Sequence, residues 1–321
     1  MASPAPPAGT TPSPVVLTGA TGFIGRRIQI ALFDAGYPVR AIVQPGSRNL
    51  RHLDPRCQRV ECSLRDGRGL TAALEGARAV VYCAGSVRGR TLADFLPANV
   101  DGVETVLHAM PGAEGAPPFL LISSLAAGRP ELSNYARSKA LGEAVVQQLA
   151  MGPWTIIRPS AVYGPGDREM LPILNMLRSG IIVHTGPREQ RASLLHVDDL
   201  AAAVTAWLSA WRNCHGSTYA IDDGRPGGYD WDAMATAAGR NRYWRLRIPP
   251  GLVTAFGFCN LQLSRLTRRA PMLTPGKVRE LTETEWLCDN SSFAVATAWQ
   301  PQIDLATGLR LTVGGKMNQA S

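Results

Sequence analysis

The run Val15-Val16-Leu17-Thr18-Gly19-Ala20-Thr21-Gly22-Phe23-Ile24-Gly25 constrains this chain more than any other stretch. A short apolar strand breaks into a glycine turn. Order then resumes as a helix whose Ile24, Ile28, Ala31 and Leu32 repeat with a period of about 3.6 residues. Each glycine has its own task in such a turn. Gly19 takes the tight bend, Gly22 lets backbone N–H groups approach a pyrophosphate, and Gly25 lets helix and strand pack closely. The phosphates then rest on the helix N-terminus, where orphan N–H groups and the macrodipole favour an anion. Glycines at this spacing also occur by chance in plain strand–helix turns. The strand before, the helix after and the place near the start of the chain make this one a dinucleotide turn, with Thr21, Phe23 and Ile24 beside its glycines.

The next strand bears on which dinucleotide is held. Gly36-Tyr37-Pro38 stops the helix, and Val39–Val43 is a second buried strand. An NAD site places an acid about 20 residues past the glycines, on the ribose 2′-OH. Here Gln44 ends the strand, and no acid occurs between Asp34 and Asp54. Arg40, Arg48 and Arg51 surround the gap, Arg48 being best placed to meet a 2′-phosphate. NADP is therefore expected in preference to NAD; the other reading of these arginines is ordinary surface charge.

Further strands are expected at 59–62, at 79–83 ending in Ala84-Gly85, at 119–122 and at 155–158, with helices between them, one spanning Asn99 to Met110. Apolar strands alternating with helices imply an α/β chain, a Rossmann-type doubly wound parallel sheet covered on both faces. Ala84 and Gly85 are small enough to let the chain pass beside a cofactor. The fifth strand runs into Ser123-Ser124, and Tyr135-Ala136-Arg137-Ser138-Lys139 opens the helix that follows. The i, i+4 spacing puts the phenol of Tyr135 and the ammonium of Lys139 on one helix face. A cation beside a phenol lowers its pKa and makes it a usable general acid/base, while Lys139 also reaches a nicotinamide ribose. Ser124, at the carboxyl end of a central strand, is preferred over Ser123 to polarise a substrate oxygen. Surface placement of Tyr135 and Lys139 on an amphipathic helix is the plain alternative.

Thr18-Gly-Ala-Thr-Gly-Phe-Ile-Gly25, Ile122-Ser-Ser-Leu125, Tyr135-x-x-x-Lys139, Arg158-Pro159 and Tyr163-Gly-Pro-Gly-Asp167, in that order, resemble an extended short-chain dehydrogenase/reductase. Within that superfamily the chain is similar to NAD-dependent epimerase/dehydratase and 3β-hydroxysteroid dehydrogenase-like proteins, from about residue 14 to about 312. The resemblance implies Ser/Tyr/Lys chemistry with a nicotinamide cofactor, and a smaller C-terminal α/β substrate lobe. It also implies a homodimer through the long helices flanking the central strands, and cofactor contacts by Pro159 and by the residues after the third strand. There the family often has Asp-Leu, and this chain has Ser63-Leu64, which leaves the adenine contact to a hydroxyl. The short gap between Ser124 and Tyr135 resembles reductase-like members more than sugar-nucleotide epimerases.

The expected organisation is a disordered leader over 1–14, a dinucleotide-binding domain over 15–160 to which 190–222 returns in part, and a substrate lobe over 161–321. The proline-rich leader has no basic n-region or apolar h-region, so it does not read as a secretory signal. Six cysteines without metal-ligand spacing read as reduced thiols of a cytoplasmic protein, and the scattered histidines suggest no metal. Tyr163 and Asp167 are candidates to face substrate, although the glycines and proline around them argue for a shaped loop. His196 reads as a capping residue ahead of Asp198 and Asp199.

The net charge of +8 is local. No acid occurs between Asp232 and Glu280, an interval holding Arg240, Arg242, Arg245, Arg247, Arg265, Arg268, Arg269, Lys277 and Arg279. It reads as a solvated face, as a peripheral contact with anionic membrane through 240–269, or as a site for a phosphorylated substrate. No nucleic-acid recognition module is visible. The function expected is hydride transfer between nicotinamide and a hydroxyl or carbonyl carbon of a small, lipid- or sterol-like substrate. A sugar-nucleotide epimerase or dehydratase uses the same residues, and a non-catalytic cofactor-binding subunit is the reading from another class.

Overall fold

The computed structural model describes residues 12–47, 49–187, 189–267 and 273–317, the side chains of 263–267 and 313–317 excepted. Of the expected leader, residues 1–11 lie outside that range, as do Arg48, Arg268 and Arg269. Strands β1 (Val15–Thr18), β2 (Val39–Val43), β3 (Gln58–Glu61), β4 (Ala79–Tyr82), β5 (Phe119–Ile122) and β6 (Trp154–Pro159) come first. Helices α1 (Phe23–Asp34), α2 (Leu70–Leu74), α3 (Gly102–Ala109) and α4 (Asn134–Leu149) lie between them. After β6 come β7 (Ala161–Tyr163), α5 (Leu171–Ser179), β8 (Ile181–His184), β9 (Arg191–Ala192), β10 (Leu194–His196) and α6 (Val197–Cys214). The chain continues through β11 (Ser217–Ile221), α7 (Trp231–Ala237), β12 (Trp244–Arg247), α8 (Pro250–Thr267) and α9 (Pro275–Thr282). It ends in β13 (Glu285–Trp286), α10 (Ser291–Thr297) and α11 (Leu305–Met317).

The main sheet has seven strands in the order β11-β6-β5-β4-β1-β2-β3, with every pairing parallel. Central strands β1, β4 and β5 are buried at all four positions, which is why they read as unbroken apolar runs rather than alternations. Ile28 and Leu32 of α1, Leu200 and Trp207 of α6 and Phe293 of α10 cover one face. Leu70 and Leu74 of α2, Val103 and Val106 of α3 and Val146 of α4 cover the other. The order of strands reverses between β1 and β4, and an open α/β sheet places its crevice at the carboxyl ends of such a pair.

One expected element is built differently. The helix read from Asn99 to Met110 starts instead as a widened turn over Pro97–Asp101, and α3 proper begins at Gly102. The Tyr82 phenol lies under this turn and donates to the Ala98 carbonyl at 2.7 Å. A Cβ on Gly102 would stand 2.4 Å from that phenol oxygen, so the backbone opens around the ring. A second core, beside the sheet, gathers Tyr163, Leu174, Leu177, Ile182, Tyr229, Met234, Leu305 and Leu309.

Candidate functional site

The crevice is built first by backbone. Gly19 takes φ +69°, a conformation open to glycine, and a Cβ there would stand 2.7 Å from the Ala84 nitrogen. Thr18 Oγ1 accepts the N–H groups of Cys83 and Ala84 at 3.1 and 3.2 Å, tying the end of β1 to the end of β4. Gly25 packs so tightly that a Cβ would lie 2.1 Å from the Gly19 carbonyl oxygen. Gly22 occupies the N-cap of α1, and no side chain caps that helix. The first-turn N–H groups of α1 have no helical acceptor, so this end suits a diphosphate. Gly25→Ala should force the turn open and weaken NAD(P)H binding by about ten-fold or more, read by nicotinamide fluorescence. Binding within about two-fold of wild type would show that the turn is not the phosphate cradle.

The end of β5 assigns its two serines different work. Ser123 is buried, and its hydroxyl donates to the Glu143 carboxylate on α4. The same carboxylate accepts from Arg158 of β6, whose Nε lies 2.9 Å from Oε1. Ser124 is outside this network; its Oγ accepts the Ala126 N–H at 3.2 Å and is hydrogen-bonded to Tyr135. Ser123 is thus engaged by α4, and of the two serines Ser124 is the one bonded to Tyr135.

Tyr135 and Lys139 stand one turn apart on α4. Burial pushes the Tyr135 phenol up to about 12, opposed by the Ser124 hydrogen bond and reinforced by the charges of Glu280 and Glu169. Burial pushes the Lys139 ammonium down to about 8, against the pull of Cys83 and Glu143. Lys139 is not among the groups that shift the phenol, so the expectation that it draws the Tyr135 pKa down stands as an expectation. Lys139 Nζ donates to the Ile122 carbonyl at 2.9 Å, and burial is the largest cause of the shift at both groups. A phenol held neutral is a proton donor.

Asn99 was not singled out from sequence, where it lay inside an expected helix. It is buried in the widened turn, donates to Ser138 Oγ at 2.8 Å and to the Ser86 carbonyl at 3.0 Å, and accepts the Ser86 N–H at 2.9 Å. One amide thereby fastens the loop after β4 to α4. A Cβ on Gly85 would meet Asn99 Oδ1 at 3.1 Å and Lys139 Nζ at 3.8 Å, so Gly85 lies over both.

The start of α4 is held from the other lobe. Ser133 Oγ caps the helix through the Ala136 N–H at 3.0 Å and donates to Glu280 of α9. Lys277 Nζ lies 2.8 Å from Glu280 Oε2, and Arg279 Nε donates to the Leu132 carbonyl at 2.8 Å. Arg88, from the loop after β4, pairs with Glu169 of the second lobe at 2.8 Å.

Other candidates fall elsewhere. Tyr163 is fully buried, its ring edge-on to His196 at 5.4 Å between centroids. A Cβ on Gly308 would lie 2.2 Å from the Tyr163 hydroxyl oxygen, so Tyr163 belongs to the core of the second lobe and is removed from the substrate-facing set. Asp167 is also buried, accepting the N–H groups of Glu169 and Met170 at 2.8 and 2.9 Å, which shapes the approach to α5 in place of facing substrate. His196 caps α6 through Nδ1 and the Asp198 N–H at 3.3 Å. Leu64 is in the core under β4, and Ser63 Oγ accepts the Arg65 N–H at 3.2 Å. Pro159, at the end of β6, is buried. Arg40 is held by Gln58 and by the Ala73 and Glu75 carbonyls, each at 2.8 Å, which takes it away from the cofactor gap.

A basic cluster of which only Arg51 was named from sequence sits beside the glycine turn. Burial and the charges of Arg168 and Arg27 hold Arg26 below its ordinary value. Burial and the charges of Arg26, Arg51 and Arg168 do the same to His52. No carboxylate enters either set. Arg26 follows the last glycine of the turn directly, and that position is the signal that could have found it.

Residues 15–221 match the sequence model of the NAD dependent epimerase/dehydratase family. The chain is 34% identical over 285 residues to a ceramide reductase of Caulobacter vibrioides, covering 87% of each chain. It is 27% identical over 244 residues to a 3 beta-hydroxysteroid dehydrogenase/Delta 5-->4-isomerase of Mycobacterium tuberculosis, covering 66% of this chain and 65% of that one. Among solved structures it is similar to a UDP-glucose 4-epimerase of Thermotoga maritima, with a TM-score of 0.71, 19% identity and coverage of 96% and 99%. The chain belongs to the NAD-dependent epimerase/dehydratase family and is an NAD(P)-dependent oxidoreductase of the extended short-chain type.

Proposed function

We propose that this enzyme uses NADPH to reduce a ketone on a lipid of the ceramide class. The observation that carries the reading is geometric: Tyr135, hydrogen-bonded to Ser124 at the end of β5, stands one helical turn from Lys139, whose Nζ is fixed to the Ile122 carbonyl at 2.9 Å beside Gly85. Reduction of a ketone needs a proton donor at the carbonyl oxygen, and an un-ionised phenol is one. Ser124 Oγ–H polarises that oxygen and orients it toward Tyr135 Oη. Lys139, anchored to the Ile122 carbonyl, reaches the ribose beside Gly85 and supplies positive charge as the alkoxide develops. NADPH, when bound, supplies the hydride. The substrate class is supported by the 34% identity to the Caulobacter ceramide reductase. The names of two other relatives, a farnesylated quinoline-oxide ketoreductase of Stigmatella aurantiaca and the Mycobacterium enzyme, likewise describe apolar bodies.

The preference for NADPH rests on the cluster of Arg26, Arg51, His52 and Arg168, which gathers positive charge beside the uncapped start of α1. A 2′-phosphate adds two acceptor-rich negative charges for such a cluster to meet. Arg26→Ala should weaken NADPH about ten-fold more than NADH in a fluorescence titration; equal losses would assign the cluster to the pyrophosphate. The reaction itself is tested by following NADPH at 340 nm with a long-chain β-keto amide. Stoichiometric oxidation is expected. Tight cofactor retention with no net oxidation, and turnover of a sugar nucleotide, would establish the epimerase reading in its place.

A further inference from the structure

We infer that the face formed by β12 and α8 docks this enzyme onto an anionic lipid bilayer, an assignment that deepens the lipid-substrate reading above and rests on it. Strand β12 pairs with β8 at the edge of the molecule, and all four of its residues are exposed. Arg245 turns toward Asp232, and Arg247 toward the Gly186 carbonyl at 3.4 Å. Alternation along a strand then sends Trp244 and Leu246 to the opposite side, where they are 83% and 55% exposed. Ile181, in register with Trp244 on β8, is 45% exposed.

Helix α8 follows after Ile248 and Pro249. It rests on α9 through Gly257, where a Cβ would lie 3.3 Å from the Thr274 carbonyl carbon and 3.5 Å from Val278 Cγ2. The side of the helix away from that contact is apolar and open. Leu252 and Phe256, four residues apart and so on one face, are 64% and 65% exposed, and Phe258 is 54% exposed. Apolar side chains this exposed, on two elements consecutive in the chain, mark an interaction surface rather than a solvated one. Among the described residues no helix is long and apolar enough to cross a membrane; the contact inferred for α8 is an interfacial one.

Charge selects the occupant. Arg240 and Arg242 precede β12, and the sequence from Asp232 to Glu280 holds no acid between them. Arg245 and Lys277 are ion-paired to Asp232 and Glu280 at the two ends of the interval, but Arg240 and Arg242 have no carboxylate partner among the described ion pairs, and an anionic bilayer surface attracts such cations beside an apolar face. The position also serves the reaction. Helix α9, on which α8 rests, abuts the cap of the catalytic helix: a Cβ on Gly276 would meet Ser133 Cβ at 3.0 Å. A ceramide-class substrate can thus keep its chains in the bilayer while its polar end reaches Tyr135.

The test is flotation of the full chain with large unilamellar vesicles of equal phosphatidylglycerol and phosphatidylcholine, and with phosphatidylcholine alone. Binding to the anionic vesicles should exceed binding to the neutral ones by about ten-fold at low salt. The double variant Leu252→Ser/Phe256→Ser should lose about ten-fold of it, with NADPH affinity unchanged because both side chains are exposed. Arg240→Glu/Arg242→Glu, which leaves the apolar residues intact, should abolish the preference for anionic vesicles. Binding to neither vesicle, equal binding to both, or unchanged binding by the double variant overturns the proposal. So does a dimer that the double variant converts to monomer while vesicles stay unbound, since the face would then join two copies. Vesicle binding that persists when no lipid ketone is reduced supports the docking face and overturns only the substrate reading.

Discussion

Tyr135→Phe lowers kcat for ketone reduction by about 10²–10⁴-fold and leaves the NADPH dissociation constant within about two-fold of wild type. The asymmetry follows from where the phenol sits. Its oxygen bonds Ser124, whereas the residues proposed to hold the cofactor are the glycine turn, Gly85 and Lys139. Removing the oxygen therefore deletes the proton donor without disturbing the cradle. The ring of Tyr135, packed 6.1 Å from that of Phe95, is preserved by Phe. Single-turnover kinetics with pre-bound NADPH is the measurement that checks it. A loss confined to KM would make Tyr135 a binding residue, and full activity would favour a cofactor-binding subunit without turnover.

Glu143→Ala unfolds the protein at a temperature about 5–10 °C lower, corresponding to about 3 kcal/mol. Glu143 is buried and receives two donors of different origin, the Arg158 guanidinium from β6 and the Ser123 hydroxyl from β5. Deleting it strands both. A buried cation that loses its partner costs about 3–5 kcal/mol, and the lower end applies because the Arg158 side chain is 30% exposed. The neighbouring Ser124 loses its fixed strand end at the same time, so kcat falls even at temperatures where the variant remains folded. Differential scanning calorimetry beside a kcat measurement at 15 °C separates the two effects. A midpoint within about 1 °C of wild type would show that Arg158 finds another acceptor.

The fold was legible because parallel strands buried on both faces must be apolar at every position, and β1, β4 and β5 are. The glycine turn was legible for a similar reason, since only a residue without a Cβ fits at Gly25. That Tyr135 and Lys139 share one helix was legible from local spacing. What escaped depends on distant partners. Tyr163 looked like a loop residue facing substrate, yet its ring is swallowed by a lobe that includes Gly308, far along the chain. Helical spacing reports that Tyr135 and Lys139 are neighbours but says nothing of the burial that acts on both groups. The basic group at Arg168 joins Arg26 only through the folding of the second lobe against α1.

The cap of α4 has a consequence for how such enzymes diversify. Ser133 begins the catalytic helix, but Glu280, Lys277 and Arg279 secure that beginning from more than a hundred residues downstream. The nucleotide-binding half is therefore not an interchangeable cassette onto which any specificity module can be grafted. A transplanted module has to bring its own clasp for the helix that carries Tyr135, and recombination between relatives is tolerated only where that clasp is inherited together with Ser133.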